Sequence, residues 1–339
     1  MPSTPDLGSV ETPVLARELL KREGIHDTLR AGLTTLAEGS REREKKTLAG
    51  SGAPNDPQGS QQAPNLALLS AEARRSGEAG EIFSQGGFFG AEASRLTYGI
   101  ETPADQVPPI TFPAAFLEKC KTAGGQLRLH ADKAPDNKPL NMLAMHRLVA
   151  ERWAREGNGK LLLDEGGWKA REPFFTKGTP RQGWRVVFPD IVAGTTSEDD
   201  LRQTELLIAE LTRLFQGTSM PKVYEDAIRE FEARKAGTRT LMKSDRDWPK
   251  ASEAIEGFGI SRVARPIPSE LLDIIAVNRD HVNQWSFPDV YSRTPVRSSL
   301  GGLVGVGSAG LDGAGVDGNH PGFADPPLGA SLSLQSWPI

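Results

Sequence analysis

A histidine beside a carboxylate is the combination in this chain that could move a proton, and the sequence offers it in few places. The five histidines are His26, His130, His146, His281 and His320. No two have the short spacing on which zinc sites are built, so a structural metal centre would need four ligands gathered from distant segments. His130 ends an alternating segment from which it could approach Asp132 or Asp136, whereas His146 lies on a helix-patterned stretch and reads as a core-margin residue. Asp164-Glu165 adjoins Gly166-Gly167, and Glu198, Asp199 and Asp200 cluster ahead of a helix. Two carboxylates do acid-base work only when they face one substrate and their environments separate their pKa values. The plainer readings are a turn for the first group and helix-terminal electrostatics for the second.

The single cysteine, Cys120, excludes an intrachain disulfide and any multi-cysteine zinc site, and it reads as a small buried hydrophobe. No phosphate-loop, HExxH or GxSxG signature is present, which removes several common enzyme classes. No metal or cofactor is expected. The most suggestive polar cluster runs from Asp312 to His320 (DGAGVDGNH). It lacks the EF-hand order and its closing glutamate, and it reads instead as a turn-rich surface on which Asp, Asn, His and the nearby Phe323 are held outward.

These residues need elements to position them. Residues 14 to 37 place Leu15, Leu19, Leu29 and Leu33 at mostly helical spacing, and the stretch beyond Lys46 has almost nothing to bury and reads as a linker. GGFFG at 86–90 is expected as a loop, and the prolines at 103, 108, 109 and 113 favour an extended connection. AAFLEKCKT is a short helix candidate, after which Leu127 and Leu129 alternate with Arg128 and His130 as in a half-buried strand. Met142, Met145, Val149 and Trp153 share one helical face, and residues 184 to 188 read as a strand. A capping box at Ser197 and Asp200 starts a helix through Phe215, Pro221 opens another that Gly237 follows, and Ser269 to Asn278 is a third. Residues 298 to 339 contain no Lys or Arg, but their leucines and valines, with SLSL and LVGVGS, predict a folded, β-rich end.

Composition agrees with a globular α+β chain: 37% hydrophobic and 25% charged, with 36 glycines and 25 prolines, excludes a collagen, a coiled-coil rod or a mostly membrane-embedded chain. Forty basic against 44 acidic residues, net -4, supply no field for nucleic acid, and Lys45-Lys46 sits in an acid-containing run. No window approaches 18 apolar residues and no secretory leader is recognised, which leaves a cytoplasmic location as the default. The expected organisation is an N-terminal helical segment at 1–44, a linker at 45–65, a mainly helical α+β body at 66–240 and a β-rich C-terminal display domain at 241–339.

Residues 120 to 235 resemble the common body of uncharacterised bacterial proteins from candidate-phylum genomes, through DKAPDNKPLNMLAMHRL (132–148), PFFTKGTPRQGW (173–184), TTSEDDLRQTE (195–205) and MPKVYEDAIREFEARK (220–235). No activity travels with that resemblance. Residues 311–317 and 328–333 are similar to the last part of those proteins, whose layout in turn resembles the end of a retroelement-diversified C-type-lectin-like domain. That resemblance implies a scaffold of leucine, valine and glycine from which Asp312, Asp317, Asn319, His320, Phe323 and Asp325 contact an unidentified protein or glycan. The expectation is therefore noncatalytic recognition through the C-terminal loops. Two alternatives stand beside it: a hydrolytic enzyme with a cleft holding His130 or His146 and Asp164 or Glu165, and a scaffold that self-associates through its body.

Overall fold

The computed structural model describes residues 68–84 and 86–336, so the helical segment and linker expected before residue 66 lie outside the described residues. Helical residues 68 to 75 lead into α1 (Gly77–Phe83), β1 (Phe88–Phe89), α2 (Ala91–Tyr98), α3 (Ala114–Thr122) and β2 (Gln126–His130). Next come α4 (Met142–Glu156), the short α5 (Pro173–Thr176), β3 (Gly183–Val187), α6 (Asp200–Phe215), α7 (Lys222–Met242), α8 (Trp248–Glu256), α9 (Gly259–Ala264) and α10 (Pro268–Val282). The remaining strands are β4 (Tyr291–Arg297), β5 (Leu303–Gly307), β6 (Gly315–Asn319), β7 (Leu328–Gly329) and β8 (Ser333–Gln335). A helical body is thus followed by a β-rich C-terminal region in an α+β arrangement.

The strands form two four-stranded sheets, ordered β1-β2-β3-β8 and β6-β5-β4-β7. In the first, β1 runs parallel to β2, while β2, β3 and β8 are antiparallel neighbours. The register sets Arg128 opposite Arg185 and Phe89 beside Arg128. Alternation gives this sheet two chemically different faces. Leu127, Leu129, Trp184, Val186 and Leu334 join one apolar cluster with Phe116, Leu207 and Leu211 of α3 and α6. Arg128, His130, Arg185 and Ser333 take the other face, and all four are buried. The half-exposed strand expected from the Leu-Arg-Leu-His alternation is therefore covered on both sides, because α10 lies over its polar face.

The helices follow from local chemistry. Asn141 caps α4 by accepting the Ala144 amide at 2.8 Å, Gly157 ends it at φ 73°, and Met142, Met145, Val149 and Trp153 are fully buried as their spacing requires. For α6 the cap is Asp199, which accepts from the Arg202 amide; Ser197 has left-handed backbone (φ 63°), so the expected Ser197 capping box does not form. Helix α7 continues through Gly237 to Met242, since one glycine weakens a helix interior without ending it when Thr238 and Met242 are buried beyond it. GGFFG is also more ordered than expected: both phenylalanines are buried, and they pair with β2.

At the C-terminal end Leu303, Val304, Val306, Val316, Leu328, Leu332 and Leu334 are buried as predicted, whereas Leu300 and Leu311 are 74% and 61% exposed. Gly313 shows why glycine recurs there: its φ is 108°, and a Cβ would come within 2.3 Å of the Leu162 carbonyl carbon. Leu334 is fully buried in the core shared with β2 and β3. We expect Leu334→Ala to cost about 2–5 kcal/mol, read as a lower urea midpoint at unchanged slope; a cost under about 1 kcal/mol would mean that β8 is not docked as described.

Candidate functional site

Helix α10 has no polar face. Apart from Arg279, every residue from Pro268 to His281 is buried, and among them are Glu270, Asp273, Asn278, Asp280 and His281. A carboxylate survives such burial only when cations or donors reach it. Glu270 accepts from Arg181 Nε and Nη2, each at 2.7 Å, with Arg185 Nε 3.8 Å away. Asp280 takes Arg152 at 2.6 and 3.0 Å and the Trp153 indole N–H at 2.6 Å. Asn278 accepts from Arg128 Nη2 at 3.0 Å, and His281 Nε2 meets the Thr97 hydroxyl at 2.9 Å.

Asp273 is the centre of this network. Its Oδ1 accepts from the Tyr98 hydroxyl at 3.0 Å, and its Oδ2 meets His130 Nδ1 at 2.8 Å, with Arg128 Nη1 3.5 Å away. Arg128 Nη1 also donates to the Asp273 carbonyl at 3.0 Å, and the guanidinium lies 4.8 Å from the Phe89 ring centroid. Burial by itself would raise the Asp273 pKa, but the His130 hydrogen bond and charge, Arg128 and the Tyr98 hydroxyl outweigh it and hold the carboxyl below its usual range. Burial and the Asp273 charge push the Tyr98 phenol well up, so it stays neutral and donates.

An ionised Asp273 can only accept, which settles the His130 tautomer: Nδ1 carries the proton, and in the neutral ring Nε2 carries the lone pair. That Nε2 is buried and has no hydrogen-bond partner. His130 lies in the wall of a cleft of about 490 Å³ whose lining includes Ser94, Glu101, Asp132, Lys133, Asn137 and Gln182. A second cleft, of about 660 Å³, shares Glu101, Thr102 and Pro108 with the first and has Phe112, Leu117 and Trp184 in its lining. An oriented imidazole with one uncommitted nitrogen can take and return a proton once a partner reaches that nitrogen, which is sealed from solvent here.

The other expected histidine is arranged differently. His146 Nδ1 accepts the Leu162 amide at 3.1 Å, which leaves Nε2 to donate to Glu165 at 3.0 Å, so both nitrogens are committed. Asp164 meets Lys169 and accepts the Gly166 amide, the turn expected of it. The structure therefore pairs His130 with neither Asp164 nor Glu165, but with Asp273, 143 residues away. Asp273, Tyr98 and Arg128 were not singled out from the sequence. Their signal was the run SELLDIIAVNRD, which embeds three acidic residues in apolar neighbours with no face left for solvent.

Of the C-terminal residues expected to contact a partner, Asp312 is exposed in the turn before β6, Asp317 is exposed on β6, and Asn319 ends that strand half-buried. The His320 ring sits 4.8 Å from that of Trp248 and 5.5 Å from that of Phe323, and its Nδ1 accepts the Gly322 amide. Phe323 is 54% exposed and Asp325 is exposed, its carbonyl accepting from the Ser197 and Leu328 amides. Strand β6 thus keeps Asp312 apart from the His320–Phe323 group. Residues 305–310 spell G-x-G-x-x-G, but on a strand that runs into a turn, without the helix N-terminus on which phosphate would rest. The expectation of purely noncatalytic recognition through these loops is overturned: the buried His, Arg, Asp and Glu network, with its cleft, lies in the central body. Sequence reasoning favoured the loops because their polar residues are contiguous, whereas the network assembles from five separate segments.

No protein-family model matches the chain, and no curated protein or solved structure matches it. The likenesses drawn from sequence phrases consequently carry no part of the functional reading. Among the described residues no helix is long and apolar enough to cross a membrane, and no group of three or more His, Cys, Asp or Glu side chains could hold a metal ion.

The network makes stability depend on pH. Glu270, despite the cost of burial, is held far below the usual carboxylate range by Arg185 and Arg181, and Asp273 is depressed as well. Burial takes Arg185 to about 10, still charged at neutral pH. Carboxylates with depressed folded pKa values stabilise fully above the unfolded values, about 4, and that stability is lost as pH falls below them. Burial also lowers His281 and His146, so unfolded histidines bind protons first as pH drops through about 6.5. The thermal midpoint is therefore expected to fall in two stages between pH 7 and 3; a midpoint constant across that range would contradict the assignment.

Proposed function

We propose that this protein is an enzyme, most consistently a hydrolase, in which the His130–Asp273 dyad is the general base of a polar cleft. The observation that carries the reading is the uncommitted Nε2 of a histidine whose Nδ1 is fixed by a buried, ionised aspartate. In the reaction Nε2 takes a proton from an attacking water or hydroxyl and passes it to the leaving group, while Asp273 stabilises the imidazolium formed between the two steps. Tyr98 and Arg128 are positioning residues that fix the Asp273 carboxylate.

Glu101, Asp132, Lys133, Asn137 and Gln182 suit a substrate with several polar groups, and both clefts lie within the range typical of small-molecule sites, about 300–1,000 Å³. The shared wall at Glu101, Thr102 and Pro108 favours a substrate long enough to rest an apolar arm near Phe112 and Trp184. The His130 ring is buried with its Nε2 sealed, so in this reading the cleft wall must open for a substrate atom to reach that nitrogen.

The test is turnover of chromogenic acetyl, amide, phosphate and glycoside derivatives of p-nitrophenol or p-nitroaniline by the full chain, beside His130→Asn and His130→Gln. Turnover of at least one class is expected, with both variants folded by circular dichroism and slower by about 10²–10⁴-fold. No turnover of any class, or equal rates in wild type and both variants, would overturn the reading.

A further inference from the structure

We infer that His146 is an acid-operated latch on the junction between the central body and the β-rich C-terminal region: the neutral ring holds residues 160–165 in place, and protonation releases them. The inference is independent of the His130 reading, since His146 lines neither of the two clefts.

Beyond α4 the chain returns as an extended segment with different partners on its two edges. On one edge the Ala314 amide donates to the Leu161 carbonyl at 2.9 Å, the Leu163 amide donates to the Ala314 carbonyl at 3.0 Å, and Leu162 pairs with Ala314 in a parallel bridge. The Lys160 amide donates to the Leu311 carbonyl at 3.0 Å, so residues 160–163 are stitched to the 311–314 segment that leads into β6. The Leu162 amide turns the other way, towards α4, and its acceptor is His146 Nδ1 at 3.1 Å. Leu161, Leu162 and Ala314 are all buried, and a buried amide needs an acceptor. The two segments leave little slack: a Cβ on Gly159 would come within 2.2 Å of the Leu311 carbonyl oxygen.

His146 can accept from Leu162 only while Nδ1 keeps its lone pair. The neutral ring does so with its proton on Nε2, which is donated to Glu165 Oε1 at 3.0 Å. The imidazolium carries an N–H on both nitrogens. Nε2 still has Glu165, but at Nδ1 two N–H groups would face each other, and the Leu162 amide would be left without an acceptor. The charged groups that act on the ring are Glu165 and Lys160 on the returning segment and Arg147 on α4. Asp164 faces Lys169, Asp312 on the 311–314 segment is exposed, and Asp280 of α10 is taken by Arg152 and Trp153 about two turns further along α4. Burial lowers the His146 pKa and outweighs the Glu165 charge, with Lys160 and Arg147 acting in the same direction as burial. A released ring in water titrates at about 6.5. The closed junction thus binds a proton less readily than the open one: its hold is complete above that value and is lost as pH falls through it.

Hydrogen exchange of the full chain, read by mass spectrometry at about pH 7.5 and 5.5 with labelling times scaled for the intrinsic rate, straddles that titration. Protection of peptides spanning 160–165 and 311–315 is expected to fall several-fold, to a limit of about tenfold, over labelling times in which α6 stays protected at both pH values. His146→Asn keeps a side-chain carbonyl where Nδ1 stands and cannot titrate, so the ratio between the two pH values should shrink to under about twofold. Glu165→Gln removes the charge that favours the imidazolium in the closed form, so its fall should be at least as large as in the wild type. A fall under about twofold in the wild type, an undiminished fall in His146→Asn, a smaller fall in Glu165→Gln, or loss of protection in α6 at the same time would overturn the latch.

Discussion

A helix enclosed on every side can keep carboxylates only if the surrounding elements bring donors to them, and this requirement organises the central body. Glu270 and Asp280 lie ten residues apart on α10, about 15 Å along its axis, and Asp273 lies between them. Each draws on different segments: Arg181 and Arg185 for Glu270, β2 and α2 for Asp273, α4 for Asp280. Such pairs add little net stability compared with apolar packing of the same volume, but stranding one charge costs about 3–5 kcal/mol. Sliding or rotating α10 by one residue would strand several at once. Their contribution is thus a register for the helix against the sheet, more than raw stability.

The same constraint makes the His130 site rigid. A general base needs a fixed tautomer and a fixed ring, and both follow from an aspartate that cannot move because it is also held by Tyr98 and Arg128. Opposite one another on the sheet, Arg128 and Arg185 would repel if they faced solvent; facing α10, they are drawn to Asp273 and Glu270 respectively. The fold and the site therefore share their polar residues. In the proposed reaction a change to Asp273 would affect stability and chemistry together, whereas His130 Nε2 makes no hydrogen bond that the fold depends on.

Much of the fold was legible where the local period was strong. The apolar faces of α4, α6 and α7 and the strands at 126–130 and 183–187 lie where spacing puts them. What failed locally failed for a physical reason: Ser197 yields the cap to Asp199, and Gly237 does not stop a helix whose next turns are buried. The site was only half legible. His130 stood out as a candidate, but its carboxylate could not be read from neighbouring residues, because Asp132 and Asp136 are near in sequence while Asp273 is near in space. Pairings across more than a hundred residues leave no local period to detect.

Alternation of polar and apolar residues along a strand establishes only that its two faces differ, not that one of them meets water. In β2 the polar half is Arg128 and His130; in the C-terminal SLSL segment it is Ser331 and Ser333. All four are buried. Ser331 hydrogen-bonds Ser292 at 2.8 Å, and Ser333 accepts from Arg185 through both its hydroxyl, at 2.7 Å, and its carbonyl, at 2.6 Å. Serine suits that place because a short hydroxyl can satisfy a buried guanidinium without adding charge. In a chain where a run such as SELLDIIAVNRD shows that a charged helix must be buried, alternating strands should be expected to supply its donors, and their polar residues become candidates for the interior.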